Sequence, residues 1–228
     1  MQNDYRKRRT MLSGLGTALA AFVLRPGSAM AQTAAAAPFQ PARHPQDDWM
    51  DTLPGKHRTV IDCAAAGAAG TGVFFANNIF TANRNGYQLG DGDVAVIVVL
   101  RHEATAFAYN DAIWAKYGTV LGNMAKVTDP RTNQPPTVNP LNSSEFGAAM
   151  TNLGVTAAAL AKRGAHFAIC DMATNRIAGV IAQAAKSTPA AVYKELVANL
   201  LPNGHLSAAG VVAVNRAQER GFTMLTAG

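Results

Sequence analysis

Seven consecutive apolar residues, Val94-Ala95-Val96-Ile97-Val98-Val99-Leu100, follow the turn Gly90-Asp91-Gly92-Asp93 and end at Arg101-His102-Glu103. An unbroken apolar run of strand length, rich in β-branched residues, marks a strand covered on both faces. Strands of that kind belong to parallel sheets, whose crossovers are helices, so this one run already points to an α/β fold. His57-Arg58-Thr59-Val60-Ile61-Asp62-Cys63 is a second β-prone run and Gly164-Ala165-His166-Phe167-Ala168-Ile169-Cys170 a third. Weaker strands are expected over 205–209 and 222–225. Helical spacing separates them: Phe75, Ile79 and Ala82 before a stop at Gly86, and a helix over 105–117. Thr156 opens a helix that Gly164 ends, and Ile177, Val180, Ile181 and Ala184 share a face after Cys170. Asp171 or Thr174 is expected to cap that helix. Pro189 stands at the permitted first position of another, and a last one runs over 211–220. The alternation predicts a single doubly wound, mostly parallel five-stranded sheet with helices on both faces.

The N-terminus reads as a targeting segment. Arg6-Lys7-Arg8-Arg9 precedes an apolar core from Met11 to Leu24, and Ser28-Ala29-Met30-Ala31 offers a small-x-small cleavage site after Ala31. Arg8-Arg9 with Thr10-Met11-Leu12 resembles the twin-arginine export signal, and the core is diluted by Gly14, Gly16 and Thr17. The resemblance implies a periplasmic protein, with residues 1–31 as signal peptide. The core is too short for the roughly 20 residues of a bilayer span, so no stable membrane span is expected. Removing 1–31 takes away Arg6, Lys7, Arg8, Arg9, Arg25 and Asp4, and the formal charge falls from +6 to +2. No basic stripe is left, which argues against nucleic acid as a partner. Residues 32–55, with Pro38, Pro41, Pro45 and Pro54, lack periodicity and read as a flexible Ala/Pro-rich linker, leaving 56–228 as the domain. A further proline-rich stretch over 123–146 is long for a compact domain, a length usual in lids, binding loops and oligomer contacts.

Chemistry concentrates at strand ends. Cys170 closes a strand and opens a helix, where the helix dipole favours the thiolate; the plainer reading is a small buried packing residue. With strand order 2-1-3-4-5, the tips Arg101-His102-Glu103, Asp62-Cys63 and Cys170-Asp171 would lie on adjacent strands, close enough for the two cysteines to pair. Gly67-x-x-Gly70-x-Gly72 is not the dinucleotide order and reads as close helix–sheet packing rather than a phosphate cradle. His166 reads as a core histidine.

The order of elements, the strand Gly164-Ala165-His166-Phe167-Ala168-Ile169-Cys170, and the closing Ser207-Ala208-Ala209-Gly210-Val211-Val212-Ala213 with Gln218-Glu219-Arg220-Gly221-Phe222 resemble the DsrE/DsrF-like (YchN-like) family over about residues 56–226. The resemblance implies a small α/β domain, usually a homo-oligomer, and in some members sulfur carried as a persulfide at the position matched by Cys170. Cys63 and the Arg101-His102-Glu103 triplet depart from that pattern, as does export.

Three readings are open. In the first, Cys170 is a nucleophile or sulfur acceptor, Cys63 its resolving partner and His102 a base. Arg101 then attracts an anionic substrate, with Glu103, Asp171 and Thr174 around it. A sulfur-donor or redox protein is the expected partner, no cofactor is expected, and the chemistry is sulfur-carrier or thiol-redox rather than hydrolysis. In the second, Cys63, Cys170, His102 and a carboxylate form a binding module for a small ligand or a soft metal. In the third, the cysteines form a structural disulfide in an oligomeric scaffold.

Overall fold

The computed structural model describes residues 39–146 and 149–228. The expected signal peptide with its cleavage site, and residues 32–38 of the expected linker, lie outside the described residues. Within the described residues, Pro41–Gly228 forms one compact unit around a five-stranded parallel sheet. Its strands are β1 (His57–Cys63), β2 (Val94–Leu100), β3 (His166–Cys170), β4 (Gly204–Ser207) and β5 (Thr223–Ala227). All seven residues of β2 are buried, as its unbroken apolar run requires.

The strand order corrects the expectation. It is β4-β3-β2-β1-β5, not 2-1-3-4-5. β2 lies between β1 and β3, and β5 returns beside β1. The physical reason is the connectivity: three successive crossovers step the sheet in one direction, and one long crossover from β4 carries the chain back to the opposite edge.

The helices are α1 (Ala66–Tyr87), α2 (Asp111–Ala125), α3 (Ala157–Lys162), α4 (Asp171–Ala185), α5 (Pro189–Val197) and α6 (Gly210–Gln218). Residues of α1 to α5 pack with Ile61, Val98, Leu100, Phe167 and Ile169 on one face of the sheet. The other face, with Val60, Ile97, Val99 and Ala168, is covered by Ala213, Val214 and Ala217 of α6 and by Met50 and Leu53. The sheet is therefore thickly covered on one side and thinly on the other.

Several local signals are realised as read. The Thr156 side chain accepts from the N–H of Ala159, Gly164 adopts φ 100° after α3, and Pro189 is the first residue of α5. Others differ. Instead of a helix over 105–117, a 3₁₀ segment runs His102–Ala108 and α2 starts at Asp111, where the Asn110 side chain accepts from the N–H of Ile113. A side-chain cap on α2 ends one turn and starts another, which the apolar spacing alone did not show. α1 runs past Gly86 and ends at Gln88 in the left-handed region. Neither Asp171 nor Thr174 caps α4; Cys170 occupies the cap without a side-chain bond.

Pro45–Met50, inside the expected linker, is a 3₁₀ turn whose Met50 is fully buried, and Arg220 of the turn after α6 pairs with Asp51 at 3.0 Å. Trp49 stacks on His205 with ring centroids 4.0 Å apart. Residues 126–146 and 149–156 lie against α1 and α2, meeting α2 at Pro136 and α1 at Met150, and the first of them form a strap over α2. Asn139 Nδ2 donates to the carbonyls of Phe107 and Tyr109 at 2.8 and 2.7 Å. A Cβ on Gly118 would stand 1.9 Å from the carbonyl oxygen of Pro136, so glycine alone lets the strap lie on α2.

No helix among the described residues is long and apolar enough to cross a membrane.

Candidate functional site

The chain leaves β3 toward the thick face, through α4, and leaves β4 toward the thin face, through α6. Adjacent strands whose following segments part to opposite faces open a crevice beyond their C-terminal ends. In this sheet that crevice lies between β3 and β4, next to the sheet edge. A cleft of about 310 Å³ occupies it, lined by Arg101, His102, Cys170, Ala173, Arg176 and Gly210 among others.

Cys170 is the last residue of β3 and the cap of α4, 7% exposed, and it packs with Ala173 and Ala209. Its backbone is held from behind: Thr174 Oγ1 donates to the Cys170 carbonyl at 3.0 Å, and Tyr109 Oη donates to Thr174 Oγ1 at 3.1 Å. Burial, opposed by the Thr174 bond, raises the Tyr109 phenol well above its ordinary range, so it stays a donor. Thr174 is fully buried and supports the strand tip rather than lining the cleft.

Arg101 extends from the end of β2. Its Nε and Nη2 donate to the two carboxylate oxygens of Asp62 at 2.6 and 2.8 Å, a fork-on-fork geometry that fixes the guanidinium. The hydrogen bond to Asp62 raises the Arg101 pKa most, burial opposes it, and the charges of Asp62, Cys170 and Cys63 add to the rise. His102 is exposed, with φ 52°, an uncommon conformation for a residue with a Cβ. It borders both the main cleft and a side pocket of about 130 Å³ that contains Glu103, Arg176 and Met124. Glu103 thus stands on the α2–α4 side, outside the main cleft. Asp171 is turned away as well: Tyr193 Oη donates to its Oδ1 at 2.6 Å and Asn175 Nδ2 to its Oδ2 at 3.2 Å, so it ties α5 to α4.

Cys63 sits elsewhere. Register pairs Cys63 with Leu100 and Leu100 with Ile169, and in a strand alternate residues take opposite faces. Cys63 therefore faces α1 with Leu100 and Ile169, whereas Cys170 faces α6. The two backbones are two strand spacings apart, about 9.6 Å, beyond the roughly 6.8 Å that a disulfide spans. Both cysteines are free. Cys63 is fully buried against Gly72, where an added Cβ would stand 2.3 Å from its Sγ. Burial, and then the neighbouring Asp62 charge, push its thiol up to about 12, with Arg101 opposing. A thiol of that kind is not the thiolate that sulfur exchange needs.

The structure thus gathers Cys170, Arg101 and His102, and sets Cys63, Glu103, Asp171 and Thr174 apart. No three of His, Cys, Asp and Glu among the described residues are grouped as a cation site, and Cys63 cannot reach the others to form one. Gly70 stands against the Met150 carbonyl oxygen and Gly72 against Cys63, so this glycine turn serves close packing.

The sequence reading placed neither Arg176 nor the start of α6 at the site, although it expected a helix from 211. Arg176, Ala173 and Met172 share the cleft side of α4, a spacing visible in the sequence once Cys170 is taken as the cap. Nothing local marked Gly210, because its role depends on Arg101: an added Cβ would meet the Arg101 Cβ at 2.3 Å. A wider groove of about 770 Å³ opens at the other end of β1 and β5, lined by Lys56, Arg58, Tyr87 and Leu225, and carries no thiol.

No family model, curated protein or solved structure matches this chain.

Proposed function

We propose that this chain is a DsrE-like protein that accepts sulfur on Cys170. The observation that carries the reading is a cysteine at the N-cap position of α4 that lines a cleft shared with Arg101, His102 and Arg176. In the reaction, the Cys170 thiolate bonds to the outer sulfur of a donor persulfide, the donor's S–S bond breaks, and the donor leaves as a thiolate. Cys170 is left as a persulfide, and no electron acceptor is required. Arg101 and Arg176 hold the anionic donor, and His102 takes up or returns a proton at the rim. Cys63 has no part in the transfer. The protein works outside the inner membrane after twin-arginine export and cleavage behind Ala31, as a homo-oligomer that exchanges sulfur with a protein or small-molecule donor.

Intact-mass analysis of the exported protein after exposure to a sulfane-sulfur donor tests the reading. A reductant-sensitive gain of one sulfur, absent in Cys170→Ser and retained in Cys63→Ser, is expected. Full uptake by Cys170→Ser would reject it. N-terminal sequencing of the periplasmic protein should start at Gln32.

A further inference from the structure

β5 is an edge of the sheet: β1 lies on one side of it, and no strand among the described residues lies on the other. Its outer side therefore presents a row of backbone N–H and C=O groups, a template for a further strand. Natural edges are blunted by charges, proline, bulges or covering segments. Thr223-Met224-Leu225-Thr226-Ala227 holds no charge and no proline, and its register with β1 runs without a break. Four of its five residues are exposed. The opposite edge differs: β4 is four residues long, and none of them is exposed.

The open edge is apolar on both faces. Leu225 pairs with Ile61 and so projects to the α1 face, 43% exposed, whereas Met224 pairs with Val60 and projects to the α6 face, 45% exposed. Beside Leu225, the groove of about 770 Å³ continues the patch along the end of α1 through Ile79, Leu89 and Tyr87, the last 74% exposed. A covering partner must bring a strand edge of its own and uncharged side chains at the seam. β5 itself meets both terms.

We infer that β5 is a homodimer interface, at which two copies of this chain join their sheets across a two-fold axis normal to the sheet at Leu225. The axis sets the two strands antiparallel, with Leu225 opposite Leu225, Met224 opposite Thr226 and Thr223 opposite Ala227. No charges meet within the seam. Arg58, whose carbonyl accepts from the Thr223 hydroxyl at the start of β5, is carried to opposite ends of it in the two copies. A five-residue seam is about 16 Å long, short of what the roughly 800 Å² per partner of a stable dimer needs. Both α1 helices lie on the same side of the joined sheet, so Ile79 and Tyr87 of each copy widen the contact. Because only one edge is open, the assembly closes at two copies. The inference supplies an interface for the homo-oligomer proposed above and does not depend on the sulfur chemistry.

Sedimentation equilibrium of the full chain over the micromolar range tests it. A dimer is expected, weakened about tenfold or more by Leu225→Lys, which sets two like charges opposite each other on the axis. The change alters an exposed side chain, and an unchanged Tm and circular dichroism spectrum should accompany it. A second variant reads the register. In a Cys170→Ser background, Leu225→Cys should form a disulfide-linked dimer under mild copper–phenanthroline oxidation, since directly opposite Cα atoms stand about 4.5–5.5 Å apart. Val211→Cys, exposed on the α6 face, should stay monomeric on a non-reducing gel. A monomer at every concentration, a dimer indifferent to Leu225→Lys, or equal cross-linking of the two cysteine variants would overturn the interface. Sulfur uptake by a monomeric chain sinks the dimer alone, and a β5 dimer that takes up no sulfur sinks the transfer reading alone.

Discussion

The two faces of the sheet each carry one cysteine at a strand tip, and they treat it in opposite ways. On the thick face, Cys63 lies under α1 with no exposed surface, in contact with Gly72, and its thiol is pushed up to about 12. On the thin face, Cys170 borders a cleft with two arginines and the start of α6. Both residues end a parallel strand before a helix. What differs is how much material covers the tip. Among the described residues, five α-helices share one face, and the nine-residue α6 with the short segment around Met50 and Leu53 covers the other. The lesson is that strand-end position creates an opening only where the following chain segments part.

The sharpest way to break this contrast is thiol labelling. Iodoacetamide should modify Cys170 in the folded protein and leave Cys63 untouched until denaturant is added. Since labelling of Cys63 requires unfolding, the rates should differ by about 10³-fold or more. Peptide mapping that finds Cys63 labelled first would reverse the assignment of the two faces.

Packing gives the next largest effect. Gly72→Ala places a methyl group against the buried Cys63 Sγ, and overpacking of this kind costs about 1–3 kcal/mol. Cys63→Ala in the same chain should recover most of that loss, because the two changes share one contact. Urea titration of the single and double variants measures it; strict additivity would show that the two residues do not meet.

Alkaline pH should act on the thick face alone. A thiol raised from 9.0 to about 12 favours the folded state only while it is protonated. Its contribution is complete below pH 9 and is lost as pH rises from 9 toward 12. The Tm should fall over that range, and less steeply in Cys63→Ala, which keeps the separate effect of Tyr109. Equal slopes would exclude Cys63 as the group concerned.

The smallest effect belongs to the thin face in acid. Burial, with a contribution from His166, lowers His205 to about 4. Its imidazole lies 2.9 Å from His166 Nδ1 and against the Trp49 ring. A histidine held neutral by the fold supports stability above its free value of 6.5, and that support disappears as pH falls toward 4. Trp49 fluorescence should therefore change between pH 6.5 and 4 and stay level in His205→Gln. A change that persists in the variant would place the titration elsewhere.

Much of the chain is legible without coordinates. The apolar run of β2, the threonine cap at 156, proline at the head of α5 and the glycine after α3 are local signals, set by a residue and its neighbours within one turn or one pleat. They determine the class of fold and the fact that thiols, Arg101 and His102 stand at strand ends. Which strands are neighbours is not local. It follows from where α6 crosses and where β5 returns, and that pairing sets β2 between the two cysteines, turns them to opposite faces and moves the crevice to β3 and β4. The docking of Trp49 and Met50, read from sequence as linker, is decided the same way, by a hydrophobic surface that only the assembled sheet presents. The sequence by itself determined the elements and the chemistry at their tips. The tertiary structure alone decided which of those tips share a site, because side chains distant in the chain meet only after the crossovers have ordered the strands.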